Sequence, residues 1–125
     1  MKPEQSVLDA IKILAAEDVG AAIVMIDDQL AGIVSERDYT RKVILKGRSS
    51  DATRVQEIMT SQVVTVTPRT KTRDCMALMT ERNIRHLPVL DKGQVIGMVS
   101  IRDIVGDIIA DQDFTISQLE QYIVS

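Results

Sequence analysis

The sequence has few aromatic residues and almost no cysteine. Among its 125 residues there are one Phe, two Tyr, no Trp and one Cys. The scarcity of aromatic rings argues against single-stranded nucleic acid as a ligand, because such sites stack bases on aromatic side chains. One cysteine excludes an internal disulfide and a zinc site built from several cysteines. Cys75 falls on an apolar helical face and is predicted to be a small buried hydrophobe.

Neither a strong charge of one sign nor a long apolar run is present. The net charge of −3 provides no basic field for DNA or RNA, so a nucleic-acid partner is not expected. No apolar run reaches the roughly 18 residues that a membrane span needs, and no signal peptide is recognised. We therefore expect a cytoplasmic protein with no membrane partner. Its length suits one compact domain with an aliphatic core.

An internal repeat is the strongest positive signal. Residues 3–40 align with residues 68–105 at an offset of 65 without a gap, and nine of the 38 aligned pairs are identical. Five of the nine identities belong to the pattern Gly-x-Val-Ser-x-Arg-Asp, which occurs at 32–38 and again at 97–103. Internal repeats indicate the architecture. The chain is therefore expected to form two similar units that share one core.

Each copy is predicted to contain a helix, two strands and a second helix. In the first copy, the helix begins at Ser6, the strands cover 21–26 and 30–34, and the second helix covers 37–46 and ends at Gly47. Apolar residues at helical spacing and polar turns between the strands support this order.

The second copy repeats this order, with strands over 87–90 and 95–99. A segment at 55–60 and a predicted strand at 63–66 precede it. Neither has a counterpart in the first copy, because the offset of 65 would place that counterpart before Met1. The two copies are therefore expected to differ in the chain that precedes them.

Several stretches together resemble the CBS domain family in its tandem form, the Bateman module. They are VQEIMT at 55–60, NIRHLPV at 83–89, and both copies of Gly-x-Val-Ser-x-Arg-Asp followed by an apolar helix. The resemblance implies an α+β fold of two β-α-β-β-α repeats with pseudo-two-fold symmetry, with the sheets packed together and the helices outside. The implied limits are 1–54 for the first repeat, without its first strand, plus a linker, 55–112 for the second repeat, and 113–125 for a helical tail.

The resemblance also implies clefts for an adenosine-containing ligand, such as AMP, ADP, ATP, NAD(H) or S-adenosylmethionine, and a homodimer. It assigns the ribose hydroxyls to Asp38 and Asp103, and the adenine to Thr60 and Val64. The complete set of candidate nucleotide-binding residues is Ala21, Ser35, Arg37, Asp38, Thr60, Val64, Arg85, His86, Pro88, Ser100, Arg102 and Asp103. Since the counterparts of Thr60 and Val64 would precede Met1, we expect unequal clefts, the one at Asp38 being the stronger.

The duplicated Ser-x-x-Asp has a second explanation. This spacing at a strand-to-helix junction is also a capping box, in which Ser35 and Asp38, or Ser100 and Asp103, stabilise a helix start. Both roles are compatible, because a cap does not use every lone pair of a carboxylate.

The favoured function is a regulatory sensor of adenosine nucleotides that acts on a protein partner and has no catalysis of its own. A ligand-free dimerisation or scaffolding module is the alternative. An enzyme is not expected, because the sequence has no nucleophile–base pair, no cluster of metal ligands and no phosphate-binding glycine motif. The lone His86 is a poor metal ligand by itself.

Overall fold

The computed structural model describes residues 1–110, which form two α+β units. The first unit contains helix α1 (Val7–Glu17), strands β1 (Ala21–Ile26) and β2 (Gln29–Ser35), and helix α2 (Glu36–Tyr39), which continues as a π-helix over Thr40–Ile44. After the connection come helices α3 (Val55–Ile58) and α4 (Thr72–Arg82), strands β3 (His86–Asp91) and β4 (Gln94–Ser100), and helix α5 (Ile101–Ala110). The helical tail predicted at 113–125 lies outside the described residues.

Each unit has one antiparallel hairpin, as the repeat predicts. β1 pairs with β2, and β3 pairs with β4. The register shifts after Val24 in the first hairpin and after Val89 in the second, and these two residues are equivalent under the offset of 65. In the first turn, Asp27 and Asp28 have φ values of 46° and 65°, as in the two-residue turns whose twist matches that of the strands.

The predicted helix ends of the first unit are confirmed. The backbone N–H of Asp9 donates to Ser6 Oγ at 3.1 Å, so Ser6 caps the start of α1. Gly47 has a φ of 66°, and the N–H of Arg48 returns to the carbonyl of Val43 at 2.9 Å. Glycine tolerates this left-handed backbone, which ends the helical segment.

The interior of that helical segment differs from the prediction. An α-helix over 37–46 was expected, but α2 starts at Glu36 and gives way to a π-helix over Thr40–Ile44. There the N–H of Leu45 donates to the carbonyl of Thr40 at 3.0 Å, five residues back instead of four. Apolar spacing does not distinguish these two hydrogen-bond patterns, so the sequence analysis missed the change.

The prediction of a strand at 63–66 is also wrong. Only Val66 pairs, in an isolated parallel bridge with Val89. Its N–H donates to the carbonyl of Pro88 at 3.0 Å, and its own carbonyl accepts from the N–H of Leu90 at 2.8 Å. Val63 and Val64 have no bridge partner among the described residues, and both line a cavity.

The expectation of one core shared by both units is wrong, because the buried aliphatic side chains form two clusters, one in each unit. The first consists of Val7, Ala10, Val24, Val34, Val43, Val55 and Ile58. The second consists of Val66, Cys75, Met79, Leu87, Ile104 and Ile108. Cys75 is thus the small buried hydrophobe that was predicted, and burial raises the pKa of its thiol. Helix α3 follows the connection, yet its buried residues join the cluster of the first unit.

The two units pack against each other through their sheets, β2 lying against β4. A side chain also links them, because Arg37 Nη1 donates to the carbonyl of Asn83 at 2.9 Å. The space beside this contact is the candidate functional site.

Candidate functional site

A cavity of about 440 Å³ lies between the two units. Its walls come from the ends of β1 and β2, the start of α2, and residues 60–64 and 83–86. Eight of the twelve predicted nucleotide-binding residues line it: Ala21, Ser35, Arg37, Asp38, Thr60, Val64, Arg85 and His86. Its volume falls within the range of about 300–1,000 Å³ that is typical of small-molecule sites.

Asp38 has the capping geometry that its spacing from Ser35 predicts. Its Oδ2 accepts from the N–H of Ser35 at 2.9 Å and from Ser35 Oγ at 3.0 Å. In return, the N–H of Asp38 donates to Ser35 Oγ at 3.2 Å, which completes a capping box. The carboxylate also lines the cavity and is held in one orientation there.

Lys42 fixes the other oxygen of this carboxylate. Its Nζ lies 3.1 Å from Asp38 Oδ1 and donates to the carbonyl of Ile58 at 2.8 Å. Lys42 is part of the π-helix, one turn after Asp38. Each carboxylate oxygen can accept two hydrogen bonds. Asp38 Oδ1 therefore has acceptor capacity beyond Lys42.

Three basic groups surround the cavity. Arg37 uses one guanidinium nitrogen on the carbonyl of Asn83 and has further donors, since a guanidinium carries five N–H groups. Arg85 and His86 enter from the start of β3. These groups, with Asp38 and Glu36 as acidic neighbours, can bind a ligand that has both hydroxyl and anionic groups.

His86 is half-buried beside the glycine that precedes β1. A Cβ built on Gly20 would lie 3.5 Å from His86 Cε1, which is an ordinary van der Waals distance, so the ring packs beside this glycine. Burial lowers the pKa of His86, while the nearby carboxylates of Asp103 and Glu36 act in the opposite direction. The imidazole is therefore favoured in its neutral form.

The structure brings Thr60 and Val64 to the same cavity as Asp38. Ile33 and Thr60 exchange both backbone hydrogen bonds, at 3.0 and 2.9 Å, and this attaches the segment after α3 to the edge of β2. Val63 and Val64, which follow in this segment, supply apolar lining to the cavity. The relative strength of the two clefts stays a prediction.

The second copy of the motif lies outside this cavity. The N–H of Ser100 donates to Asp103 Oδ2 at 2.8 Å, and the N–H of Asp103 donates to Ser100 Oγ at 3.1 Å. These bonds from Ser100 are the main reason why the pKa of Asp103 is lowered. Arg102 lies exposed beside them.

The position equivalent to Lys42 is Asp107, which has the opposite charge. Its Oδ2 accepts from Thr72 Oγ1 at 2.7 Å. Asp38 has a cation, Lys42, one turn further along its helix. The equivalent carboxylate, Asp103, has an acidic residue at that position instead. Pro88 is fully buried in β3, where its carbonyl accepts from Val66. Contact of Pro88 with a ligand stays a prediction.

Several cavity residues were missed by the sequence analysis. They are Gly20, Ile33, Glu36, Gln62, Val63, Asn83 and Ile84. Glu36 occupies the variable position of the repeated motif, where the second copy has Ile101, so comparison of the copies favoured its neighbours. Gln62 lies in a segment without a counterpart in the other copy. Within residues 1–110, no three potential ligands gather into a metal site.

The family assignment rests on the agreement between a family sequence profile and the repeated fold of the structure. The CBS domain profile matches residues 1–44 and 55–110, which contain the two copies of the repeat. The chain belongs to the CBS domain family. The tandem repeat and the α+β fold predicted from the sequence are therefore confirmed.

Relatives of this CBS pair are known from plants and bacteria. The mitochondrial CBS domain-containing protein CBSX3 of Arabidopsis thaliana is 43% identical over 125 residues, which cover 96% of this chain and 61% of the plant protein. YhcV of Bacillus subtilis is 29% identical and covers 83% of this chain and 74% of its own. The chain thus spans less than two thirds of the plant relative.

Solved CBS structures have the same fold. A CBS-domain protein from Burkholderia ambifaria has a TM-score of 0.86 and 56% identity, covering 92% of this chain and 85% of its own. PAE2072 of Pyrobaculum aerophilum, solved in complex with AMP, has a TM-score of 0.76 and 24% identity, covering 100% of this chain and 90% of its own. Because the sequence identity to PAE2072 is only 24%, this similarity supports the fold alone.

Proposed function

We propose that this CBS pair is a regulatory module that binds an adenosine-containing ligand between its units and catalyses no reaction. One observation carries the proposal. A single cavity combines an apolar wall at Val63 and Val64, the carboxylate of Asp38, and the guanidinium groups of Arg37 and Arg85. A nucleotide offers the matching groups, namely a flat base, sugar hydroxyls and phosphate.

In this proposal the base and the ribose occupy opposite sides of the cavity. Thr60 and Val64 contact the adenine, next to Ala21. Asp38 accepts one of the ribose hydroxyls through the lone pair of Oδ1 that Lys42 does not use. The same carboxylate would thus stabilise α2 and bind the sugar.

The phosphate end of the ligand lies near the basic groups. Arg85 offers a planar guanidinium, which suits phosphate oxygens, and Arg37 has donors beyond those used on Asn83. His86 contributes a ring N–H. The duplicated motif at Ser100, Arg102 and Asp103 is proposed as a second, weaker site.

AMP is the first ligand to test among AMP, ADP, ATP, NAD(H) and S-adenosylmethionine. The fold relative PAE2072 was solved with AMP, and the cavity of about 440 Å³ accommodates one nucleotide. A nucleotide bound here would contact both units. It would shift their packing only if it bound one arrangement more tightly than the other.

The assembly and the regulated partner are further parts of the proposal. We propose a homodimer that signals to a protein partner, while noting that a CBS-CP12 relative from cyanobacteria is hexameric. Within residues 1–110 no helix has the length and apolar content of a membrane span. A cytoplasmic location stays a prediction, and one plant relative is mitochondrial.

Calorimetric titration of AMP into the wild type and two matched variants tests the proposal. Asp38→Asn and Asp103→Asn each replace a capping carboxylate by an amide whose oxygen still caps the helix, but only Asp38 lines the cavity. A hydrogen bond to a charged group is worth about 1.5–3 kcal/mol. We therefore expect Asp38→Asn to weaken binding roughly 10- to 100-fold and Asp103→Asn to change it far less.

Equal losses in both variants would contradict the assignment of the main site. A thermal-shift panel provides a second measurement, because a ligand at about 100 times its dissociation constant adds about 2.7 kcal/mol of stability. Absence of any shift with all five ligands would reject the sensor. Retained dimerisation would then favour the alternative, a ligand-free scaffolding module, in which the capping role accounts for both Ser-x-x-Asp pairs.

A further inference from the structure

The two oxygens of the Asp38 carboxylate differ in how many hydrogen bonds they accept within the protein. Oδ2 accepts from the N–H of Ser35 at 2.9 Å and from Ser35 Oγ at 3.0 Å. The serine hydroxyl can donate its hydrogen there because Oγ acts only as an acceptor toward the N–H of Asp38, at 3.2 Å. A carboxylate oxygen has two lone pairs. Ser35 therefore occupies both lone pairs of Oδ2.

The other oxygen, Oδ1, pairs with Lys42, whose Nζ lies 3.1 Å away. Residues 1–110 supply no second partner to this oxygen. The same Nζ donates to the carbonyl of Ile58 at 2.8 Å, so acceptors on two separate segments hold the ammonium group in place. One lone pair of Oδ1 is left for a ligand. Asp38 can thus accept one hydroxyl, although a ribose offers two neighbouring ones.

Lys42 reaches this carboxylate from outside the cavity. Asp38 belongs to the cavity lining, whereas Lys42 borders a surface depression together with Lys46, Arg48 and Glu57. The side chain of Lys42 is 44% exposed, compared with 13% for that of Asp38. A ligand in the cavity would therefore meet the carboxylate and not the ammonium group. Any effect of Lys42 on such a ligand acts through Asp38.

The second copy of the motif shows that the helix cap does not require this lysine. The N–H of Ser100 donates to Asp103 Oδ2 at 2.8 Å, and the N–H of Asp103 donates to Ser100 Oγ at 3.1 Å. The residue one turn further along is Asp107, which accepts from Thr72 Oγ1. The same pair of backbone bonds thus forms beside an acidic residue. Capping alone does not explain a lysine at position 42.

We infer that Lys42 limits the site to recognition of a single ribose hydroxyl, as a positioning residue that leaves Asp38 one acceptor lone pair. The inference rests on the proposed function, because it requires a nucleotide sugar at Asp38. While Lys42 holds one lone pair of Oδ1, the carboxylate accepts either the 2′- or the 3′-hydroxyl, but not both. A nucleotide that lacks the other hydroxyl would bind as well as AMP. The ligand class of the site then includes one of the two deoxyribose forms.

Calorimetric titrations of AMP, 2′-deoxy-AMP and 3′-deoxy-AMP into the full chain test this inference. The chain carries Asp103→Asn, so that the proposed second site lacks its carboxylate. Loss of a hydrogen bond to a charged group should weaken binding of one deoxy analogue by about 10- to 100-fold relative to AMP. The other analogue should bind with the affinity of AMP. This one-sided pattern is the expected result.

Lys42→Met, made in the same chain, assigns the pattern to the lysine. The freed lone pair can accept the second hydroxyl, so each deoxy analogue should then bind about tenfold or more weakly than AMP. Lys42→Arg, which retains a cationic donor, should keep the one-sided pattern. Lys46→Met, which removes an exposed lysine four residues further along, should keep it as well. A general loss of stability would not change the ratios between ligands, so it cannot produce this result.

Four outcomes would overturn the inference. Equal weakening of both deoxy analogues in the chain with Lys42 would do so, and this arm does not depend on how the lysine variants fold. An unchanged one-sided pattern in Lys42→Met would do so too. Loss of all AMP binding in Lys42→Met would show that the lysine is needed for binding itself. Absence of AMP binding throughout would reject the proposed function as well, whereas the other three outcomes reject only the role of Lys42.

Discussion

Gly32 lies directly beneath the carbonyl oxygen of Thr60, and a Cβ at this position would be only 2.7 Å from that oxygen. The contact joins the segment after α3 to the first unit. A Cβ at the equivalent Gly97 would meet no atom of residues 1–110 within 4 Å. The two glycines of the repeated motif thus have different structural roles.

The first prediction compares these glycines. Gly32→Ala should destabilise the protein by about 1–3 kcal/mol, because a methyl group must displace backbone in a packed site. Gly97→Ala should stay within about 0.5 kcal/mol of the wild type, as is usual for surface substitutions. Urea unfolding followed by circular dichroism measures both. Similar stability for the two variants would mean that the segment at 55–60 does not pack on β2.

The second prediction concerns Lys42, which joins Asp38 to the carbonyl of Ile58. Lys42→Met should cost about 1 kcal/mol, most of it from the unpaired carbonyl, because helical ion pairs at i, i+4 spacing contribute only about 0.3–0.5 kcal/mol. Lys46→Met is the matched control, an exposed lysine of the same region. The midpoint of urea unfolding should fall for Lys42→Met alone. A loss in both variants would indicate a general effect of removing charge.

The third prediction concerns the pH dependence from His86, the one histidine in the chain. Burial lowers the pKa of His86 in the folded state. In the unfolded chain the pKa of the same histidine is about 6.5, so near this pH the unfolded chain binds more protons than the folded protein. Stability should therefore be complete above about pH 6.5 and decrease as the pH falls below that value. His86→Gln should remove this part of the decrease between pH 7.5 and 5.5, as measured by urea unfolding. A steeper decrease in the variant would reverse the inferred sign.

The fourth prediction concerns Cys75, which is buried and has a raised thiol pKa. Thiolates are the reactive form, so burial and a raised pKa both slow alkylation. We expect iodoacetamide to react at least tenfold more slowly with the folded protein than with the protein in urea. Mass spectrometry measures the rate. Equal rates would show that the second unit opens readily.

The local features of this fold were predictable from the sequence because they depend on neighbouring residues. Ser6 caps α1 through Asp9, and Ser35 caps α2 through Asp38, each three residues along the chain. The two hairpins follow from short apolar runs on either side of polar turns. The repeat predicted the paired units. The family resemblance predicted that Asp38, Thr60 and Val64 belong to one site.

Other features depend on contacts between residues far apart in sequence. Lys42 reaches Ile58 sixteen residues away, and Arg37 reaches Asn83 forty-six residues away. Neither pair has a spacing that a local pattern can identify. The places of Glu36 and Gln62 in the cavity likewise follow from how the two units meet.

The amino-acid order alone was sufficient for the repeat, the hairpins, the helix caps and an aliphatic interior, since each rests on spacing along the chain. Three-dimensional packing was needed to show that α3 joins the first unit, that a cavity lies between the two units, and that equivalent glycines differ in their surroundings. The physical reason is that a repeated sequence encodes equal local preferences. The segment that comes to lie against each copy determines which of these positions is buried.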